Sequence, residues 1–149
     1  MNASPIFQSA ARFLVALLAL VSVFFLLRGH NAPGGGFIGG LILASAIAVR
    51  GLAFGLADAR RLLRVDPLRL AGVGLLLAAA SGLFAPGNGA PFMEGRWLAE
   101  PVPGIGKVGT VLLFDTGVFL TVVGTALTIL FTVWEDSAGT EDGERGDAA

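Results

Sequence analysis

Four apolar runs, lying at about Ile6–Leu27, Gly36–Leu56, Leu68–Phe84 and Val108–Trp134, dominate the 149 residues of this chain. A membrane-crossing helix needs roughly 20 predominantly apolar residues, and the runs meet or approach that length. None alternates apolar and polar residues as the strands of a membrane barrel do. Inside a bilayer the backbone has to satisfy its own hydrogen bonds, and a continuous apolar run does so as a helix. The expected fold is an all-α membrane protein with four transmembrane helices. One membrane domain, residues 1–134, is followed by an acidic tail, 135–149, expected to be disordered because six acids there face a single Arg145.

Composition agrees. Charged residues make up 14% of the chain, against about 25% in a soluble domain, so most of the surface is expected to face lipid or other protein. The net charge is −1 and there is no basic block, so no nucleic-acid partner is expected. The absence of cysteine excludes disulfides, thiolate metal sites and cysteine nucleophiles. With a single histidine as well, no metal site or cofactor is expected. Arg12 followed by Phe13–Leu27 imitates a signal peptide, but the run leads into Arg28-Gly29-His30 without a small-residue cleavage site. It reads as a retained first span.

Lysine and arginine set the orientation. With four spans, one side of the membrane carries Arg12, Arg50, Arg60, Arg61, Arg64, Arg69 and Arg145, and the other carries Arg28, Arg96 and Lys107. The excess, concentrated in the short connection 58–67, places both termini in the cytoplasm. The turn around His30 and the long connection 85–107 then face outward. That connection holds Pro86, Pro91, Pro101 and Pro103 together with Phe92, Met93 and Trp97. It reads either as an interfacial loop anchored by Trp97 or as a loop packed against another subunit.

The turn between the first two runs, Arg28-Gly29-His30-Asn31-Ala32-Pro33-Gly34-Gly35-Gly36-Phe37-Ile38-Gly39-Gly40, concentrates glycine where ordering it costs the most entropy. Pro33-Gly34 forms the turn, and free N–H groups at the head of the second span can meet an anion or a carboxylate. Gly35 with Gly39, and Gly36 with Gly40, share a helix face on which two backbones can approach. Gly51 and Gly55 repeat that spacing at the far end. Gly34-x-Gly36-x-x-Gly39 also fits a dinucleotide fingerprint, as does Gly104-x-Gly106-x-x-Gly109. The fingerprint needs a preceding strand, and each match here leads into a membrane span, so both are rejected.

Asp115 is the acid inside an apolar span, about 12 Å along the helix from Lys107 at 1.5 Å per residue. A carboxylate there costs roughly 2.5–3.5 kcal/mol at the helix centre, and its helical neighbours Val111, Leu112, Val118, Phe119 and Val122 are apolar. Its partner has to come from another helix or another protein of an assembly. On the same outer side stand Arg28 and His30. Two readings remain open: Asp115 locks the last span to the glycine turn, or it lies on a proton or cation route. His30, with a near-neutral unperturbed pKa, is either a helix-end hydrogen-bonding group or a relay.

Residues 29–40 resemble the signature of the MnhB/MrpB subunit of the Mrp (Mnh, Sha) monovalent cation:proton antiporters, and Phe114-Asp115-Thr116-Gly117-Val118 resembles that family's last-helix motif. The similarity covers roughly residues 7–134; the acidic tail lies outside it. The resemblance implies a multi-pass component of a hetero-oligomeric complex of the bacterial inner membrane. Its partners would be large antiporter-like and small hydrophobic subunits, and the complex would exchange sodium for protons. The implied motif residues are Pro33, Gly34, Gly35, Gly36 and Phe37, with Gly39 and Gly40 in helix packing. An enzyme is not expected, since clustered acids at the interface are missing. The alternative is a stand-alone small four-helix transporter; such exporters usually carry a membrane-embedded Glu in the first helix, and this first span has no acid.

Overall fold

The computed structural model describes residues 4–29, 34–83 and 109–146, with side chains as far as residue 137. His30, Pro33 and the long connection with Phe92, Met93, Trp97 and Lys107 lie outside the described residues. Five helices follow one another: α1 (Pro5–Arg28), α2 (Gly36–Phe54), α3 (Leu56–Leu63), α4 (Pro67–Gly82) and α5 (Thr110–Gly146).

Local chemistry explains where they start and stop. Ser4 caps α1, its Oγ accepting the Phe7 N–H at 3.2 Å, and Pro5 fills the first turn, where no donor is needed. Asp66 caps α4 in the same way, Oδ1 accepting the Arg69 N–H at 2.9 Å ahead of Pro67. The second apolar run breaks at Gly55, whose φ of +92° no ordinary side chain adopts without strain. The helix expected to continue to Leu56 therefore ends at Phe54, and a short amphipathic helix, α3, begins at once where the sequence reads as a plain basic connection. Arg64, left-handed at φ +60°, closes α3 with its N–H on the Arg60 carbonyl. The last helix runs through Gly146, past Trp134 and through most of the segment expected as a disordered tail. No proline interrupts residues 135–146, and extending a nucleated helix is far easier than starting one.

The helices pack in the order α1–α2–α5–α4, with α3 folded against α2, and α1 barely reaching α5. α5 is the centre. Its Phe119, Val123, Leu127 and Phe131 are buried against Ala44 and Ile47 of α2 and Ala59 of α3. Small residues let the backbones approach. A Cβ on Gly40 would lie 3.0 Å from the Phe119 carbonyl oxygen; one on Gly74 would lie 2.5 Å from the Thr121 nitrogen; one on Gly117 would lie 2.5 Å from the Ala78 nitrogen. The matched positions show α2 and α5 running parallel and α4 antiparallel to α5. The outer faces of α1 and α4 expose Phe13, Leu20, Phe24, Leu75 and Leu76, an apolar surface suited to lipid or to neighbouring helices.

Three helical segments, Pro5–Arg28, Gly36–Phe54 and Thr110–Ser137, are long and apolar enough to cross a membrane. With 16 residues, α4 is about 24 Å long at 1.5 Å per residue, short of a hydrocarbon core of roughly 30 Å.

Candidate functional site

Antiparallel α1 and α2 meet at one end of the molecule, where the glycine turn connects them. Parallel to α2, α5 brings Asp115 to the same end in its second turn. The carboxylate comes to rest against the turn. A methyl group on Gly29 would sit 3.0 Å from Asp115 Oδ2, and one on Gly35 would sit 3.2 Å and 3.4 Å from the two oxygens. Gly36 is tighter still: a Cβ there would overlap the Asp115 carbonyl oxygen and lie 2.8 Å from the Phe119 nitrogen. The turn therefore closes on α5 backbone to backbone, which leaves space for Asp115 and for no side chain on Gly29, Gly35 or Gly36.

Several features hold this cradle in place. The Gly35 N–H donates to the Phe25 carbonyl at 3.1 Å, which ties the head of α2 to the last turn of α1. Deeper in, the Ser22 hydroxyl donates to the Gly39 carbonyl at 2.9 Å from a fully buried position. Phe119, one turn beyond Asp115, packs its ring against Gly39; a Cβ there would lie 3.3 Å from the ring and 2.8 Å from the Ser22 carbonyl. Gly39 and Gly40 thus serve packing within this chain, against α1 and α5. Thr116 satisfies its own hydroxyl on the Leu112 carbonyl at 2.8 Å.

Gly35 caps α2 without a side-chain hydrogen bond. The positive dipole end of α2 lies close to the Asp115 carboxylate, whose oxygens stand 3.2 Å and 3.4 Å from a Cβ placed on this cap residue. A carboxylate at a helix N-terminus is stabilised by roughly 0.3–1 kcal/mol in exposed settings, and by more where water is scarce. Gly34 belongs to the same turn, where a Cβ on it would lie 3.1 Å from the Phe25 ring and 3.2 Å from the Phe25 carbonyl oxygen, whereas Arg28 and Phe37 face elsewhere. Arg28 sets its guanidinium 5.7 Å from the centre of the Phe24 ring, and Phe37 is largely exposed on the outer face of α2.

The opposite end carries the charge. Arg50 pairs with Asp58 and Arg60 with Glu135, each at 2.5 Å, which pins α3 to α2 and α5. Arg12 and Arg50 also flank the Phe54 ring at 5.4 Å and 4.5 Å. Gly55, expected on a packing face, has open space around it and acts only as the break. Gly51, by contrast, packs under the Trp134 ring.

Sequence reasoning overlooked Ser22 and the α4–α5 seam of Gly74, Gly117 and Gly124. The seam had a legible signal, since Pro67, Ala71, Gly74 and Ala78 recur at three- and four-residue spacing on one face of a helix.

Residues 6–128 match a family model described as a domain related to the MnhB subunit of Na+/H+ antiporter. The chain is 42% identical over 133 residues to the B-type subunit of the Na(+)/H(+) antiporter of Bacillus subtilis, covering 88% of this chain and 93% of that protein. It is 34% identical over 131 residues to the protein of the same name in Alkalihalophilus pseudofirmus, covering 87% and 91%. A third relative, a probable K(+)/H(+) antiporter A/B-type subunit of Rhizobium meliloti, is 32% identical over 128 residues, covering 85% of this chain and 13% of the longer protein.

Proposed function

This chain belongs to the MnhB family, and we propose that it acts as one membrane component of a multisubunit Na+/H+ antiporter of the Mrp type. Near-complete coverage of relatives named as the B-type subunit of a Na(+)/H(+) antiporter is the observation that carries the proposal. The protein is a transporter component rather than an enzyme, and it works in the bacterial inner membrane alongside large antiporter-like and small hydrophobic subunits. Four helices cross the membrane: α1, α2, α4 and α5. The glycine seam against α5 supports counting the short α4 among them. Both termini and α3 lie on the cytoplasmic side, which fits the arginines gathered at that end. Residues 1–134 form the membrane domain.

Within this protein, Asp115 is a lock. Its carboxylate bears on the backbone of Gly29 and of Gly35, at the head of α2, a placement that suits holding α1, α2 and α5 in register. A second reading, an ion route through Asp115 and His30, is favoured by the site lying at the outward end of the bundle. Tagged chain purified from its native membrane in mild detergent tests the assembly: antiporter-like subunits should co-purify, and a clean homo-oligomer would refute the proposal. Asp115→Asn separates the roles, because Asn keeps an acceptor oxygen and a good capping side chain but cannot carry the charge. As a lock, Asp115→Asn leaves complex yield and cation-dependent proton flux largely intact while Asp115→Leu loses the complex. As a route, Asp115→Asn assembles and stops flux. The flux assay is run with Na+ and with K+, since one relative is named for potassium.

A further inference from the structure

Beside the start of α4 lies a cleft of about 450 Å³ lined by Arg64, Val65, Asp66, Arg69, Leu70 and Val73. Arg50 and Arg60, two of the neighbouring cations, are each paired with an acid. Arg64 and Arg69 take part in no ion pair among the described residues, and both are exposed. Asp66, the acid in the lining, spends Oδ1 on the Arg69 N–H as the α4 cap. The cleft therefore keeps a net positive mouth of two guanidiniums to one carboxylate. Its inner wall changes character, with Leu70 and Val73 one and two turns into α4. Val73 is exposed, and exposed Leu76 continues along the helix beyond it. At the other edge, Leu62 and Val65 of the α3 turn are also exposed, a mix of apolar and basic side chains that suits a boundary between water and lipid.

From this juxtaposition we infer an anionic phospholipid site: Arg64 and Arg69 hold the phosphodiester of a lipid such as phosphatidylglycerol, and one acyl chain lies along Leu70, Val73 and Leu76. A guanidinium pair matches phosphate oxygens with directed N–H donors, and cationic residues beside membrane helices attract anionic lipid at roughly 1 kcal/mol each. The adjoining apolar strip is what distinguishes a lipid from a free phosphate, which needs only the mouth. Placing the mouth at headgroup depth rests on the membrane topology proposed above.

The test uses the complex purified through this chain in mild detergent, delipidated, then titrated with phosphatidylglycerol and followed by native mass spectrometry. Wild type retains phosphatidylglycerol in preference to phosphatidylcholine, and millimolar inorganic phosphate does not displace it. Arg64→Gln with Arg69→Gln weakens that retention about tenfold or more, while Arg64→Lys with Arg69→Lys restores most of it. Equal retention by wild type and the double Gln variant overturns the site, and so does displacement by inorganic phosphate. Co-purifying subunits are read in the same spectra. A homo-oligomer that still binds phosphatidylglycerol through these arginines would refute the antiporter assignment and leave the lipid site standing. An intact complex without arginine-dependent retention would do the reverse. A double Gln variant that fails to assemble is replaced by the Arg69→Gln single variant, for which unchanged retention again overturns the site.

Discussion

Gly72 and Gly74 lie two residues apart on α4 and allow a controlled measurement of how closely that helix is packed. Around Gly72 there is nothing within 4 Å of an added Cβ. An added Cβ on Gly74 would lie 2.5 Å from the Thr121 nitrogen, 2.6 Å from the Gly117 carbonyl oxygen and 2.7 Å from Thr121 Oγ1. Ordinary contact begins near 3.4 Å, so α4 has to retreat by most of an ångström, and two of the three obstructing atoms are backbone and cannot swing aside. The retreat also loosens the neighbouring close approaches, Ala78 on Gly117 and Ala71 on Gly124. Forcing one extra methyl into a packed seam costs about 1–3 kcal/mol. Both Gly→Ala changes gain a similar helix propensity, about 0.8–1 kcal/mol, so the difference between the two variants isolates the packing term. Gly74→Ala is therefore expected to be about 1–3 kcal/mol less stable than Gly72→Ala. Thermal stability of the detergent-solubilised complex, followed by fluorescence-detected size exclusion, should show a midpoint several degrees lower for Gly74→Ala. Coincident melting of the two variants would refute the backbone-contact account of the α4–α5 seam.

Other outcomes follow from the same geometry. Gly36→Ala is expected to reduce complex yield more than Gly35→Ala: Gly36 meets Asp115 and Phe119 backbone atoms, whereas Gly35 mainly faces the Asp115 carboxylate and adds strain of about 1–3 kcal/mol from a backbone conformation that is essentially glycine-only. Quantitative native-gel yields that rank the pair the other way would count against the cradle. Ser22→Ala removes a buried hydrogen bond to the Gly39 carbonyl and should cost about 0.5–1.5 kcal/mol, read by the same melting assay. Arg60→Gln with Glu135→Gln should change stability by no more than about 1 kcal/mol, because the side chains in that pair are 46% and 52% exposed; a large loss would mean that α3 depends on this contact to dock.

The extents of α1 and α2 and the starts of α4 and α5 were close to legible in the chain itself, whereas the continuation of α5 past Trp134 was not. A run of apolar residues in lipid has helix as its only economical backbone, and Pro67 behind a capping Asp66 marks a helix start by local chemistry alone. The kinship to antiporter subunits was legible too, from the glycine turn and the motif around Asp115. Placing Asp115 on the same side as that turn required only counting spans. What the tertiary structure decided was which groups meet. Gly29, Gly35 and Gly36, and not Arg28, are the described residues that form the Asp115 cradle. Gly55 breaks a helix while Gly51 packs under Trp134, although the two look alike as small residues in an apolar run. Whether a glycine is a hinge, a seam or an idle position such as Gly72 depends on what stands across from it. That is set by the order α1–α2–α5–α4 and by helix register, which come from the summed contacts of residues far apart in the chain and leave no local trace at any single position.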